Sequence, residues 1–182
     1  MKSLAAIIGS MLLSACQTAP INLKLSNATG NNAASETIAP CHIRLLKVVD
    51  KRSNKETLGE AAGVPVLASN VTGWVSEGVT SGLKHHGYKV SEQRGDLDML
   101  VNIKLAYLRP LPLRLHATVS LEVQLKHSQK RMYRQTLRAI GDRTNWANGE
   151  GEIMEVLNIA LNNVVTDLAD DIQPACTRSA SL

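Results

Sequence analysis

The chain has 182 residues, of which 44% are hydrophobic and 20% charged. This supports one domain with a real core and excludes collagenous, coiled-coil and grossly disordered chains. Aromatic residues make up 3%, with no Phe, so the core is built from Leu, Ile, Val and Ala and no stacking platform for single-stranded nucleic acid is expected. The formal charge of +4 comes from 20 basic and 16 acidic residues, without the concentrated Lys/Arg run of a polyanion-binding tail, so nucleic acid is not an expected partner.

Lys2 gives a positive start, Leu4 to Leu13 an apolar stretch, and Ser14-Ala15 small residues ahead of Cys16. That is the layout of an export signal, and the stretch is too short to span a bilayer, which takes about 20 apolar residues. Leu13-Ser14-Ala15-Cys16 resembles the lipobox of bacterial lipoproteins. The resemblance implies removal of residues 1–15 and acylation of Cys16, whose diacylglycerol and N-acyl chain are the only non-protein groups expected. Each buried methylene of such chains contributes about 0.8 kcal/mol, so the domain would be held on a membrane without spanning it. Gln17 resembles the residue that permits transfer to the outer membrane, which gives the expected location: lipid-anchored there and facing the periplasm. The alternative is an ordinary secretory signal with a chance cysteine, or a cytoplasmic protein with an apolar start.

Residues 16–40 form the lipidated N-terminus and a tether rich in Asn, Ala, Ser and Thr, with a coil dimension of roughly 25 to 30 Å. Within it Ile21, Leu23 and Leu25 alternate with polar residues, so a short strand docked on a sheet edge is an option. Residues 41–176 are the single globular domain, and 177–182 a tail. Cys41 and Cys176 flank that domain. In an oxidising periplasm an even pair predicts a disulfide closing a long loop, worth roughly 2 to 5 kcal/mol; two free buried thiols are the alternative.

His42 to Val49 is the first core strand, ending at the polar segment from Asp50 to Asn54. After a Gly- and Pro-containing loop, Leu67, Val71, Trp74, Val75, Val79 and Leu83 recur at helical spacing, and the helix stops at His85-His86-Gly87. Gly73, Gly78 and Gly82 weaken it, so close packing against a neighbour is the expected compensation. A short strand over 88–92 follows. Leu97, Met99, Val101, Ile103, Leu105 and Tyr107 then share one strand face. In the next strand Leu113, Leu115, Ala117, Val119, Leu121, Val123 and Leu125 point one way. Arg114, His116, Thr118, Ser120, Glu122, Gln124 and Lys126 point the other, the pattern of an antiparallel strand with one wet face. A turn at 127–130 leads into a strand over 131–140. The last element is a helix over 152–172 with an apolar stripe from Ile153 to Ile172, which Pro174 is expected to terminate.

Two striped helices and a sheet with one apolar face predict an α/β (α+β) two-layer sandwich in the order β-α-β-β-β-β-α, its sheet mostly antiparallel or mixed, with both helices on one face. The lipobox, Ile21-Asn22-Leu23, a strand ending in Asp50-x-Arg52, a helix closing at Gly87-Tyr88, the polar/apolar strand pair and Leu157-Asn158-x-Ala160-Leu161 resemble the YajG-type bacterial lipoproteins across nearly the whole chain. The resemblance implies a small outer-membrane lipoprotein of α/β fold without an established catalytic activity. Asp50 and Arg52 match its Asp-x-Arg and stand either as a ligand site or as a strand-end turn with a local ion pair.

No nucleophile elbow, Walker A sequence, dinucleotide fingerprint or zinc-ligand array is found, so neither a cofactor nor a metal is implied and the chain is not expected to be an enzyme. Two functions compete: a non-catalytic binding or scaffold module assisting an envelope complex, and a cell-wall or lipid hydrolase with a site assembled from sequence-distant residues. The candidate binding surface is the outward sheet face, with Arg114, His116, Lys126, Arg134 and Arg138 beside Glu122 and Thr136, joined by Lys104 if its strand keeps alternating. Its partner would be an envelope protein or another anionic envelope component. The alternative is a solvated face whose charges block aggregation.

Overall fold

A computed structural model of the chain describes residues 19–27, 41–127, 132–144 and 149–179. Cys16, the signal segment, residues 28–40 of the expected tether, the turn at 128–131 and the last residues of the tail lie outside the described residues. In chain order the strands are β1 (Ile21–Lys24), β2 (His42–Asp50), β3 (Thr57–Ala61) and β4 (Val64–Ser69), then helix α1 (Val71–His85). They are followed by β5 (Lys89–Ser91), β6 (Leu97–Leu111), β7 (Arg114–His127), β8 (Met132–Thr144) and helix α2 (Glu150–Ser179). The eight strands form one mixed sheet with both helices on its apolar face, the two-layer architecture expected.

The organising strand is β6. On one edge it pairs antiparallel with β7, which pairs antiparallel with β8. On the other edge β2 runs parallel to its first half and β3 meets its second half, with Gly59 opposite Leu108. Beyond β3 lie β4 and then β1, parallel to β4 with Ile21 opposite Val66. The buried core is mostly aliphatic, as the composition required, with Trp74 at 0% exposure and Tyr88 as the aromatic rings in it among the described residues.

Four features differ from the sequence-based expectations. The loop before α1 holds the β3–β4 hairpin, whose turn residues Ala62 and Gly63 both have positive φ; its short, Gly- and Pro-interrupted strands carry no readable alternation. Leu67 therefore belongs to β4, and α1 starts at Val71 behind Asn70, which accepts a hydrogen bond from Gly73 N. Pro174 lies inside α2 instead of ending it; a proline forfeits one helical hydrogen bond, and here the next turn is tied covalently through Cys176. Finally, the domain starts before residue 41, because the optional edge strand does form: β1 pairs with β4 at the sheet edge. Leu23 and Leu25 are buried, and Asn27 donates to Trp74 O at 2.8 Å, so the folded unit takes in a segment assigned by composition to the tether.

Asn158 explains how that segment is held. It accepts from Trp74 Nε1 at 2.8 Å and donates to Ser26 O at 3.1 Å, joining α2, α1 and the residues after β1 in a buried polar link. Two of the three α1 glycines have the expected compensation: a Cβ at Gly78 would lie 2.4 Å from Leu161 Cδ2, and one at Gly82 2.5 Å from Val165 Cγ1, whereas Gly73 meets only the Asn70 side chain that caps its own helix. The helices cross at backbone-close range because α1 has no side chains there. Cys41 and Cys176 are disulfide-bonded with Cα atoms 5.3 Å apart, inside the usual range, and both are buried.

Cys176→Ser in the oxidised protein should cost roughly 2 to 5 kcal/mol, read as a lower urea midpoint, because a 135-residue separation is released. Gly59→Ala should cost on the order of 3 kcal/mol by the same measurement. Its φ is 105°, and its Cβ would lie 2.1 Å from Leu108 O, a backbone atom that cannot yield without breaking the β3–β6 contact.

Candidate functional site: the open face of the sheet

The helices leave one face of β6, β7 and β8 uncovered. Register fixes what it presents, because side chains alternate with period two. Across β7 and β8, Arg138 lies opposite Ser120, Thr136 opposite Glu122, Arg134 opposite Gln124 and Asp142 opposite His116. Arg134, Thr136 and Arg138 thus share the face with the polar residues of β7. Tyr133 and Gln135 turn toward α2, where Gln135 donates to Asp171 at 2.6 Å.

A bulge in β6 alters the third strand. Ile103 pairs with Leu121 but Leu105 pairs with Ser120, so Lys104 is an extra residue and the alternation inverts after it. Ala106 and Leu108 then face the core, whereas Leu105 and Tyr107 join the open face; this corrects the expected continuous apolar row through Tyr107. Lys104 is exposed at the bulge itself. The face consequently gains apolar surface: Tyr107 and Ile140, 45% exposed each, flank Thr118 from either side.

The middle of the face is not wet, which is the second correction. Thr118, Ser120, Glu122 and Asn102 are all buried among longer cross-strand neighbours. Glu122 is the hub, accepting from Asn102 Nδ2 at 2.8 Å, Gln124 Nε2 at 3.2 Å and Arg134 Nη2 at 2.7 Å. The Arg134 hydrogen bond, followed by that of Asn102, outweighs the desolvation and holds the carboxyl at about 2. Ser120 donates to Leu137 O.

The sequence-chosen residues therefore separate into engaged and free groups. Arg134 is spent on Glu122, His116 Nδ1 sits 2.9 Å from Asp142, and Lys126 faces Asp98 across the β6–β7 pair. Asp98 is itself in a two-pronged pair with Arg44, whose hydrogen bond holds its carboxyl below the usual carboxylate range. Arg114 and Arg138, with Arg109 and Lys104 of β6, have no ion pair among the described residues. Nor do the chosen residues form one point: Arg114 and Lys126 lie at opposite ends of β7, roughly 40 Å apart at strand rise. The compact part is Lys104, Tyr107, Arg138 and Ile140.

Asp50 and Arg52 stand elsewhere, at the exit of β2. Arg52 is 5% exposed, with its Nε and Nη2 on the Asp50 carboxylate and its guanidinium also reaching the carbonyls of Thr57 and Lys55. Every strong donor faces the protein, so the strand-end turn is what this pair builds. His116 and Asp142 are the one His–carboxylate pair of the face, and among the described residues no hydroxyl or thiol hydrogen-bonds the imidazole. The bulge and the Glu122 network were missed from sequence; Asn102 between Val101 and Ile103 is the one residue whose polarity hinted at a polar partner opposite.

No family model matches the chain, and no curated protein does. Its fold is shared with a crystal structure from Xanthomonas campestris of the family DUF330, at TM-score 0.60 and 14% identity, covering 91% of this chain and 99% of that one. A minor lipoprotein from Acinetobacter baumannii aligns at TM-score 0.42 and 12% identity, covering 71% and 94% of the two chains. A lipoprotein from Neisseria meningitidis aligns at 0.41 and 13%, covering 72% and 99%. Among the described residues no helix is long and apolar enough to cross a membrane.

Stability should fall as pH drops from the ordinary 4.5 of a glutamate through about 2, because the folded protein holds Glu122 ionised while the unfolded chain protonates it first. The contribution is fully present above 4.5. Glu122→Gln should lower the urea midpoint at neutral pH and remove this part of its acid dependence. An unchanged acid limb in the variant would show that Glu122 does not carry it.

Proposed function

We propose that the chain is an envelope lipoprotein of the YajG type, held on the outer membrane through acylated Cys16. Its domain is a non-catalytic module that binds an acidic envelope protein on the open sheet face. The observation that carries this reading is the central patch of that face. Exposed Tyr107 and Ile140 lie beside the unpaired cations Lys104 and Arg138, while Glu122 neutralises Arg134 within the sheet. Apolar contact with adjacent guanidinium and ammonium groups suits a carboxylate-bearing protein surface, which Arg can grip with two parallel hydrogen bonds. The lipobox-like segment and Gln17 support the location. The hydrolase alternative gains nothing from His116 and Asp142, because among the described residues no hydroxyl or thiol hydrogen-bonds the imidazole.

Photo-crosslinking residues placed at Ile140 and Tyr107 in intact cells should capture one discrete protein. A probe at Asn162 on the exposed side of α2 should not. The double reversal Lys104→Glu with Arg138→Glu should abolish the adduct while moving stability by no more than about 0.5 kcal/mol, since both side chains are exposed and unpaired. Arg134 is left intact, because a carboxylate there would face Glu122. An adduct indifferent to the reversal would remove this face from consideration.

A further inference from the structure

Three strand pairings place two exposed hairpin tips and the chain's entry into the sheet at one end of the molecule. β1 is parallel to β4, β4 is antiparallel to β3, and β3 is parallel to the second half of β6. Followed across these rungs, Ile21 lies level with Val66, then with the Gly59 region of β3, then with Leu108. The end of the sheet toward which the chain before Ile21 leads is therefore the end carrying the β6–β7 turn, Leu111 to Arg114, and the β3–β4 turn at Ala62 and Gly63. The opposite end carries β5 and the start of β2.

Chain length then sets a height. Cys16 precedes Ile21 by five residues, which reach at most about 17 Å when fully extended. Leu111 lies three residues past Leu108, about 10 Å further along the strand direction. A membrane holding Cys16 would thus lie within reach of this end of the sheet, and the coil of 25 to 30 Å expected from composition is not available as a spacer because β1 is built into the fold.

The β6–β7 turn is unusual in what it shows at that end. Leu111 pairs with Arg114, leaving Pro112 and Leu113 as a two-residue loop. Leu113 has φ 58°, in the left-handed region where such a turn favours Gly or Asn, and is 81% exposed, more than any other large hydrophobic described. Neither backbone preference nor packing accounts for a leucine here. Arg114 beside it and Arg109 two residues before Leu111 are exposed and unpaired among the described residues, at the level of lipid phosphates if Leu113 enters the acyl boundary.

We infer that the β6–β7 turn is a membrane-contacting tip: Leu113 inserts into the bilayer that holds the Cys16 lipid, so the sheet stands end-on with its open face directed along the membrane surface. This rests on the reading of Cys16 as acylated.

The full-length lipidated protein, reconstituted in vesicles of phosphatidylethanolamine with a minority of phosphatidylglycerol, provides the test. Cys41 and Cys176 are bonded to each other, so Leu113→Cys supplies a thiol for a nitroxide label, and Glu92→Cys, at the far end of the sheet, supplies the control. The label at 113 should collide more with oxygen than with a water-soluble nickel chelate, and the label at 92 the reverse. Leu113→Gly, which relieves the turn, should raise or preserve the urea midpoint. Mass spectrometry of the Cys16 peptide separates the two failures. An unmodified cysteine overturns the anchoring reading and this inference with it, whereas a lipidated peptide with a water-exposed 113 label overturns this inference alone. A fall in the urea midpoint of Leu113→Gly would also overturn it, by making Leu113 a packing residue.

Discussion

The fold depends on how β6 shares one edge between two parallel partners. Its 15 residues are too many for β2 alone, which leaves the sheet at Asp50 opposite Ile103, one residue before the bulge at Lys104. Lys51 N still donates to Ile103 O, and Arg52 then folds back onto Asp50 and the carbonyls of Lys55 and Thr57. That closed turn frees the edge for β3, which approaches so closely at Gly59 that a methyl group would strike Leu108 O. The bulge and the Asp-x-Arg turn are thus two halves of one switch point. A buried arginine is costly unless its donors are satisfied, and here the cost is offset by closing the loop that lets β3, β4 and β1 extend the sheet.

Legibility from sequence follows the strength of local periodicity. The stripe of α2 and the alternation of β7 each run for many residues, so both elements and their faces were readable, as was the pairing of the two cysteines that flank the domain. The small β3–β4 hairpin was not: five- and six-residue strands containing Gly59 and Pro65 have too few side chains to show a period. The bulge is invisible for a different reason. Leu105 and Tyr107 continue the apolar alternation of Leu97 to Ile103 letter for letter, and only the backbone reveals that an extra residue has turned them over. Asp50 and Arg52 were identifiable as a pair, but their inward orientation depends on the carbonyls of a loop that has no periodic signal.

The same irregularity shapes the candidate site. Without it Ala106 and Leu108 would lie on the open face and Tyr107 in the core. With it, one strand supplies core residues along its whole length and yet delivers an aromatic ring and Lys104 to the surface. Sequence alternation correctly placed Arg134 and Arg138 on one face, but it could not distinguish them. Arg134 is held by a carboxylate whose other acceptor positions are taken by Asn102 and Gln124, whereas Arg138 stands over Ser120 with no acid in reach among the described residues.

That distinction bears on what a polar sheet face can do. A uniformly solvated face spreads its charges and keeps each one hydrated, which suits solubility and gives no preferred contact point. Here the acidic component is drawn inward: Glu122 lies below the surface, and its carboxyl, held at about 2 first by the Arg134 hydrogen bond, is ionised and attached to Arg134 at neutral pH. Of the cations of this face left without an ion pair among the described residues, Lys104 and Arg138 stand next to apolar side chains already 45% exposed, with Arg109 and Arg114 further toward the β6–β7 turn. Desolvating those cations against a carboxylate requires no rearrangement of the network beneath, because the groups that would compete for them are already committed. Free donors beside exposed apolar area are the combination that lets a small surface gain both polar contact and burial on binding.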